Sequence, residues 1–170
     1  MPRHLALLPA LLLSPPALAQ DCPAAPPGET VRSYRNERFG VAFDVPPILS
    51  LDPGSVPARG DAARRWTPDR RGTVVLNIEA NPRRLPIRAM MAEAEGDIRE
   101  NGRGQITYRR VRDGWFVLSA FMAGRIFYRR TMLLRSGRVA TLWMEFAPEL
   151  RPCLDGPVST MSLSFREIGG

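Results

Sequence analysis

Lysine is absent from this chain of 170 residues: the 24 basic side chains are all arginine. A GC-rich genome, which favours arginine codons, is the plain reading. The sharper one is selection for planar, bidentate donors to carboxylate or phosphate. Histidine is almost absent as well. The single one, His4, lies in a segment that reads as a removable leader, so the mature chain would have no imidazole. That excludes a Ser-His-Asp or Cys-His nucleophile and histidine-ligated zinc or iron. Cysteine is scarce, with Cys22 and Cys153 alone and no Cys-x-x-Cys spacing, which argues against a redox pair. Long apolar runs are missing too. Residues 5–13 form the longest, and a membrane span needs about 20.

What is present begins with an export signal. Arg3 and His4 precede the apolar run, and Ala17-Leu18-Ala19 is a small-residue cleavage site before Gln20. There is no Arg-Arg pair in this leader, which points to the general secretion route rather than the twin-arginine one; Cys22 is not directly after the cut, so lipid attachment is not expected. Residues 1–19 are therefore read as a signal peptide, 20–32 as a flexible Pro/Ala-rich arm, and 33–166 as a single α+β domain. The expected location is periplasmic or secreted, in a bacterium. There the default state of Cys22 and Cys153 is a disulfide, two free thiols being the alternative. Closing so long a loop contributes about 4–5 kcal/mol in the chain-entropy picture. The formal charge is +7, and one unit less without Arg3. Such a protein is drawn to anionic surfaces, lipid headgroups or acidic glycans among them, whereas export removes it from nucleic acid.

Residues 106–146 organise the rest. They read as four strands joined by short turns at Asp113-Gly114, Ala123-Gly124 and Ser136-Gly137. Before them, residues 39–46 alternate as a strand that Pro46-Pro47 ends, 47–63 read as a loop, 65–67 as a short strand, and 73–80 as another. One clear helix is expected over 87–101, with Ile87, Met90, Met91, Ala94 and Ile98 on one stripe and Glu95–Arg99 as an i,i+4 pair. The methionines are core residues by this pattern. After the meander, Pro152, Gly156 and Pro157 limit the expected helix to about 155–163, with Asp155 as a cap.

If all three turns have two residues, every side chain of the meander acquires a face. One face carries Val111, Phe116, Leu118, Ala120, Met122, Phe127, Leu133, Ala140, Leu142, Met144 and Phe146, with Thr107, Arg109, Arg129 and Thr131 as polar exceptions. The amphipathic helix is its natural cover. The other face carries Tyr108, Ser119, Tyr128 and Glu145 in one row and Arg110, Val117, Arg130 and Trp143 in the next. Tyr108, Arg110, Tyr128, Arg130, Trp143 and Glu145 make the one constellation that resembles a ligand or partner patch. Its competing reading is a network buried beneath the C-terminal helix or the 47–63 loop. Asp61 and Asp69 read as turn formers rather than metal ligands. The Arg-Arg pairs at 64–65, 70–71 and 83–84 could together form a basic rim, a solvated surface being the alternative.

The opening strand residues Tyr34 and Arg38 to Pro46, the turn Trp66-Thr67-Pro68-Asp69 before Gly72, Trp115 to Ser119, Phe127-Tyr128-Arg129 and Ser164-Phe165 resemble small exported bacterial proteins of the PsbP-like fold family. The resemblance spans residues 34–165, and the Pro-rich stretch at 152–157 departs from the smooth terminal helix it implies. It implies a central antiparallel sheet, the meander plus N-terminal strands, with helices packed on its faces as an αβα sandwich. It also implies a binding or adaptor role with no shared catalytic site. The expectation is a non-catalytic exported binding or adaptor protein, monomeric and not membrane-spanning, without cofactor or metal. Its partner would be a protein or an anionic envelope component. A carboxylate-dependent hydrolase of envelope polymers is the alternative, and a purely structural role in the envelope is not separable from the first reading.

Overall fold

The computed structural model describes residues 22–51, 60–67, 69–101 and 103–169. The expected cleavage at Ala19–Gln20 and residues 52–59 of the expected 47–63 loop lie outside the described residues.

Among the described residues there are ten strands and two α-helices. Strands β1 (Arg32–Asn36) and β2 (Val41–Val45) form a hairpin. Strands β3 (Ser50–Leu51), β4 (Ala62–Trp66) and β5 (Gly72–Glu79) follow, then helix α1 (Ile87–Gly96). The meander comprises β6 (Gln105–Arg112), β7 (Trp115–Met122), β8 (Arg125–Leu133) and β9 (Val139–Phe146). Helix α2 (Arg151–Ser164) and the short β10 (Arg166–Glu167) complete the chain. A seven-stranded antiparallel sheet runs in the order β3-β4-β5-β9-β8-β7-β6. A second sheet, β1-β2-β10, stands apart from it. The N-terminal strands are thus divided between two sheets.

Helix α1 covers one face of the large sheet. Ile87, Met90, Ala94 and Ile98 are buried against Phe116, Leu118, Ala120 and Phe127, as the stripe predicts. The α-helix ends at Gly96 and continues as a π-helical turn, Asp97–Asn101, which still buries Ile98. The Glu95–Arg99 pair forms at 3.1 Å. The opposite face is covered by α2 together with the small sheet. Val41, Phe43, Val45, Leu154, Val158, Met161 and Phe165 close over Val74, Leu76, Leu142, Met144 and Phe146.

Two expectations fail here. Helix α2 runs unbroken through Pro157 from Arg151 rather than starting near Asp155, so Asp155 is not its cap. Pro152 sits in the first turn, where no amide partner is needed, and Pro157 removes one bond. Burial of Leu154, Val158 and Met161 outweighs that loss. The second failure is the register of β9. Tyr128 faces Met144, and Arg130 faces Leu142, not Glu145 and Trp143. The β8–β9 loop has three residues, not two. Leu134 N donates to Arg138 O and Gly137 N to Leu134 O, both at 2.8 Å, with Gly137 at φ +77°. A three-residue loop ending in a left-handed glycine adds one residue to the strand, and one residue turns over every side chain beyond it. Ala140, Leu142, Met144 and Phe146 therefore pack towards α2, while Val139, Thr141, Trp143 and Glu145 turn towards α1.

Disulfide Cys22–Cys153 pins the N-terminal segment to the first turn of α2, across a sequence separation of 131 residues. No helix among the described residues is long and apolar enough to cross a membrane.

Candidate functional site

The outer half of the α2-facing sheet surface is only partly covered. Between α2 and strands β6 and β7 lies an open groove of about 410 Å³. Its floor is Tyr108, Arg110, Trp115, Val117, Ser119, Tyr128 and Arg130, and its wall is Arg151, Ser159, Ser162 and Leu163 of α2. The two-residue turns at Asp113-Gly114 and Ala123-Gly124 produce this floor: Tyr108 pairs with Ser119 and Ser119 with Tyr128, Arg110 with Val117 and Val117 with Arg130. In the second turn Ala123 and Gly124 both take positive φ, +50° and +75°.

Four of the six expected patch residues are thus assembled. Tyr108 is 49% exposed, Arg110 is exposed, and Tyr128 and Arg130 are half-buried. Trp143 and Glu145 are not part of it. The shifted register takes them to the α1 side, where Trp143 stacks on Phe127 at 4.8 Å and Glu145 pairs with Arg125 at 3.5 Å. Trp115 takes the place expected for Trp143. The Arg130 guanidinium sits 4.5 Å from the Trp115 ring centroid and that of Arg110 5.8 Å from the same ring. Trp115 follows the Asp113-Gly114 turn and pairs with Arg112, so strand alternation places it with Val117 and Ser119. Counting from that turn finds it. Leu163 and the serines of α2 carry no such signal, because their position depends on how the helix docks.

Among the described residues neither Arg110 nor Arg130 has an ion pair, and the buried Nε of Arg130 has no hydrogen-bond acceptor. Burial lowers the pKa of Arg130, and the positive charge of Arg110 lowers it further. Two like charges held over one indole, with no carboxylate between them, form a site that favours an incoming anion. Among the described residues no acid lines the groove, and Asp155, which touches two of its lining residues, is engaged by both. It accepts from the Tyr128 hydroxyl at 2.9 Å and from Arg151 Nε at 3.1 Å. Burial first, then the bond to Asp155 and its charge, push Tyr128 up to about 12, while Arg151 opposes them. Tyr128 is therefore a neutral donor that ties β8 to α2 through Asp155.

The other expected sites resolve differently. Asp69 is a turn former. It accepts from Thr67 Oγ1 at 2.7 Å and from Arg71 N at 3.0 Å, in a turn where Arg70 takes φ +58°. Burial would raise its pKa, but bonds from the Arg71 backbone, Thr67 and the Arg71 side chain outweigh that and lower it. The proposed basic rim does not gather: 70–71 and 83–84 lie beyond opposite ends of the eight-residue β5, on the order of 25 Å apart. Arg83 is also held by Glu93 through two bonds, at 2.8 and 2.7 Å. On the α1 side a cavity of about 350 Å³ contains Glu79, Glu93, Asp97 and Arg129. Burial lowers the pKa of Arg129, and nearby Glu79 and Asp97 offset part of that effect.

A seven-stranded antiparallel sheet with a helix on one face, and a helix and small second sheet on the other, defines an α+β protein of the PsbP-like fold. Solved structures with a similar fold include a PsbP protein and a Ran-binding protein. The solution structure of cyanobacterial PsbP (CyanoP) from Synechocystis sp. PCC 6803 superposes with a TM-score of 0.61 at 13% identity, covering 81% of this chain and 92% of that one. The Ran-binding protein Mog1p of Saccharomyces cerevisiae superposes with a TM-score of 0.62 at 8% identity, covering 82% and 96%. At these identities the likeness is one of fold. No family model matches the chain. No curated protein matches it by sequence.

Proposed function

We propose that this is a non-catalytic binding or adaptor protein of an exported, oxidising compartment, and that the groove between α2 and β6–β7 recognises an anionic group on its partner. The observation that carries this reading is the pair of guanidinia, Arg110 and Arg130, over Trp115 with no acid among the described residues to neutralise them. Arginine's planar fork suits a carboxylate or phosphate, and a floor of tyrosine and tryptophan supplies contact area at low entropic cost. Export is supported by the Cys22–Cys153 disulfide, a bond that persists in oxidising compartments, and by the leader-like residues 1–19. The fold's resemblance to a Ran-binding protein and to a PsbP protein is consistent with an adaptor role.

A carboxylate-dependent hydrolase needs two acids free to act together in one cleft. In the α1-side cavity Glu93 is taken by Arg83, and Glu79 and Asp97 stand around Arg129. No observation favours the hydrolase. The test is affinity capture from an envelope extract at two ionic strengths, using wild type, Arg110→Ala and Arg130→Ala. A partner retained at low salt, released by salt and lost by either folded variant supports the reading. Retention that ignores both substitutions and salt overturns it.

A further inference from the structure

Strand β6 is the longest open sheet edge among the described residues, and it borders a groove on each of its faces. On the α2 side is the Arg110–Arg130 groove. On the α1 side a second groove of about 610 Å³ runs along Arg99, Gly104, Ile106 and Arg109. The opposite edge of the sheet, β3, has only two residues. In β6 the pairs Arg112–Trp115 and Arg110–Val117 spend their backbone groups on β7, because Arg112 closes a two-residue hairpin. The N–H and C=O groups of Arg109 and Val111, the alternate residues, therefore face outwards.

Exposed edges of this length are usually guarded by charge or by a bulge. Here the bulge, between Ile106 and Tyr108, ends the irregular stretch and leaves Tyr108 to Arg112 in regular pairing. The charges are all of one sign: Arg109, Arg110 and Arg112 lie on the edge itself. They repel a second copy of β6 and favour an acidic strand. The α1 side has a surplus too, since Arg99 and Arg109 share one carboxylate, Glu95, at 3.1 and 3.5 Å.

We infer that β6 is a docking edge for an extended, acidic segment of a partner protein, which adds to the sheet as an eighth strand. Its backbone pairs with Arg109 and Val111, and its acidic side chains on the α2 face reach Arg110 and Arg130. An extended peptide on a sheet edge takes affinity from main-chain bonds and specificity from alternate side chains, and β6 supplies an open edge and a charged groove together. The inference rests on the groove being the binding site and adds the form of its occupant.

The probe is a blocked octapeptide alternating valine and glutamate, titrated calorimetrically into the full mature chain. A second peptide of the same sequence is N-methylated at alternate amides. The expected result is binding of the first, and loss by at least about tenfold on N-methylation, in Val111→Pro, and in Arg110→Ala/Arg130→Ala. Proline is tolerated at Val111 because the N–H it removes faces outwards. Should Val111→Pro fail to fold, hydrogen exchange decides, with the wild-type amides of Arg109 and Val111 slowed by at least about tenfold in the complex. Equal binding of the N-methylated peptide overturns strand addition and leaves the anion site standing. Peptide binding that ignores the double arginine variant overturns both. Binding to phosphatidylglycerol vesicles with none to peptide also overturns the strand-addition inference.

Discussion

Removing the Cys22–Cys153 bond should destabilise the protein about as much as truncating a large core side chain. The cross-link spans 131 residues, so most of the chain is inside the loop it closes. In the chain-entropy model a loop of that size restricts the unfolded state by about 5 kcal/mol, at the top of the measured range. The native side adds little against this, because Cys153 lies in the first turn of α2 and packs against the main core. Its partner arrives on a segment with no helix or strand of its own between Cys22 and Val31. The double variant Cys22→Ala/Cys153→Ala should therefore keep the native sheet and lose about 3–5 kcal/mol. Urea unfolding followed by tryptophan fluorescence measures this, and the slope m should rise because the uncrosslinked unfolded chain exposes more surface. A loss below about 1 kcal/mol with an unchanged m would refute the reasoning. It would mean that the unfolded ensemble is compact without the bond.

Tyr128 predicts an alkaline limit to stability. In the unfolded chain it ionises near pH 10, and in the fold near 12, so the stability it contributes is complete below pH 10 and fades as pH rises from 10 to 12. Because the side chain is only half-buried and solvent screens it, the amount is on the order of 1 kcal/mol. Tyr128→Phe should flatten stability over that interval, and a stability profile identical to wild type would contradict the assignment. Trp143→Ala removes the stack on Phe127 and should cost about 2–3 kcal/mol, less than a fully buried tryptophan because Trp143 is only half-buried. It should leave partner binding unchanged, whereas Trp115→Ala should weaken binding with a smaller loss of stability. Unfolding curves and binding isotherms on the two variants check this, and the opposite pairing of effects would restore the two-residue β8–β9 turn. Leu163→Asp, at a 79% exposed position on the groove's wall, should weaken binding of an acidic partner with no loss of stability. Binding that stays level in that variant removes α2 from the site.

The parts of the fold that follow from local chemistry were legible in the residues. Ala123-Gly124 and Asp113-Gly114 set the register of β6, β7 and β8, which placed Tyr108, Arg110, Tyr128 and Arg130 together. The stripe from Ile87 to Ile98 announced α1 and its buried face. Ser136-Gly137 misled because a glycine at φ +77° serves a two-residue and a three-residue loop alike. The hydrophobic pattern gave no correction there, since β9 is covered on both faces and Ala140, Leu142, Met144 and Phe146 suit either core. Pro157 misled for a different reason: the tertiary burial of Leu154 and Met161 overrides a local penalty. The small β1-β2-β10 sheet pairs residues separated by more than 120 positions, Ala42 with Arg166 among them, and such pairing has no local signature. The groove's α2 wall depends on the same long-range docking.

The most direct test of the binding site is a nitrogen-15 NMR titration of the folded protein with the valine–glutamate octapeptide, reading the three tryptophan indoles and the arginine Nε signals. The groove on Arg110 and Arg130 predicts saturable shifts at the Trp115 indole and at Arg130 Nε, with the Trp143 indole still because it lies on the α1 side. Shifts centred on Trp143, or an unmoved Trp115 at saturation, would contradict it.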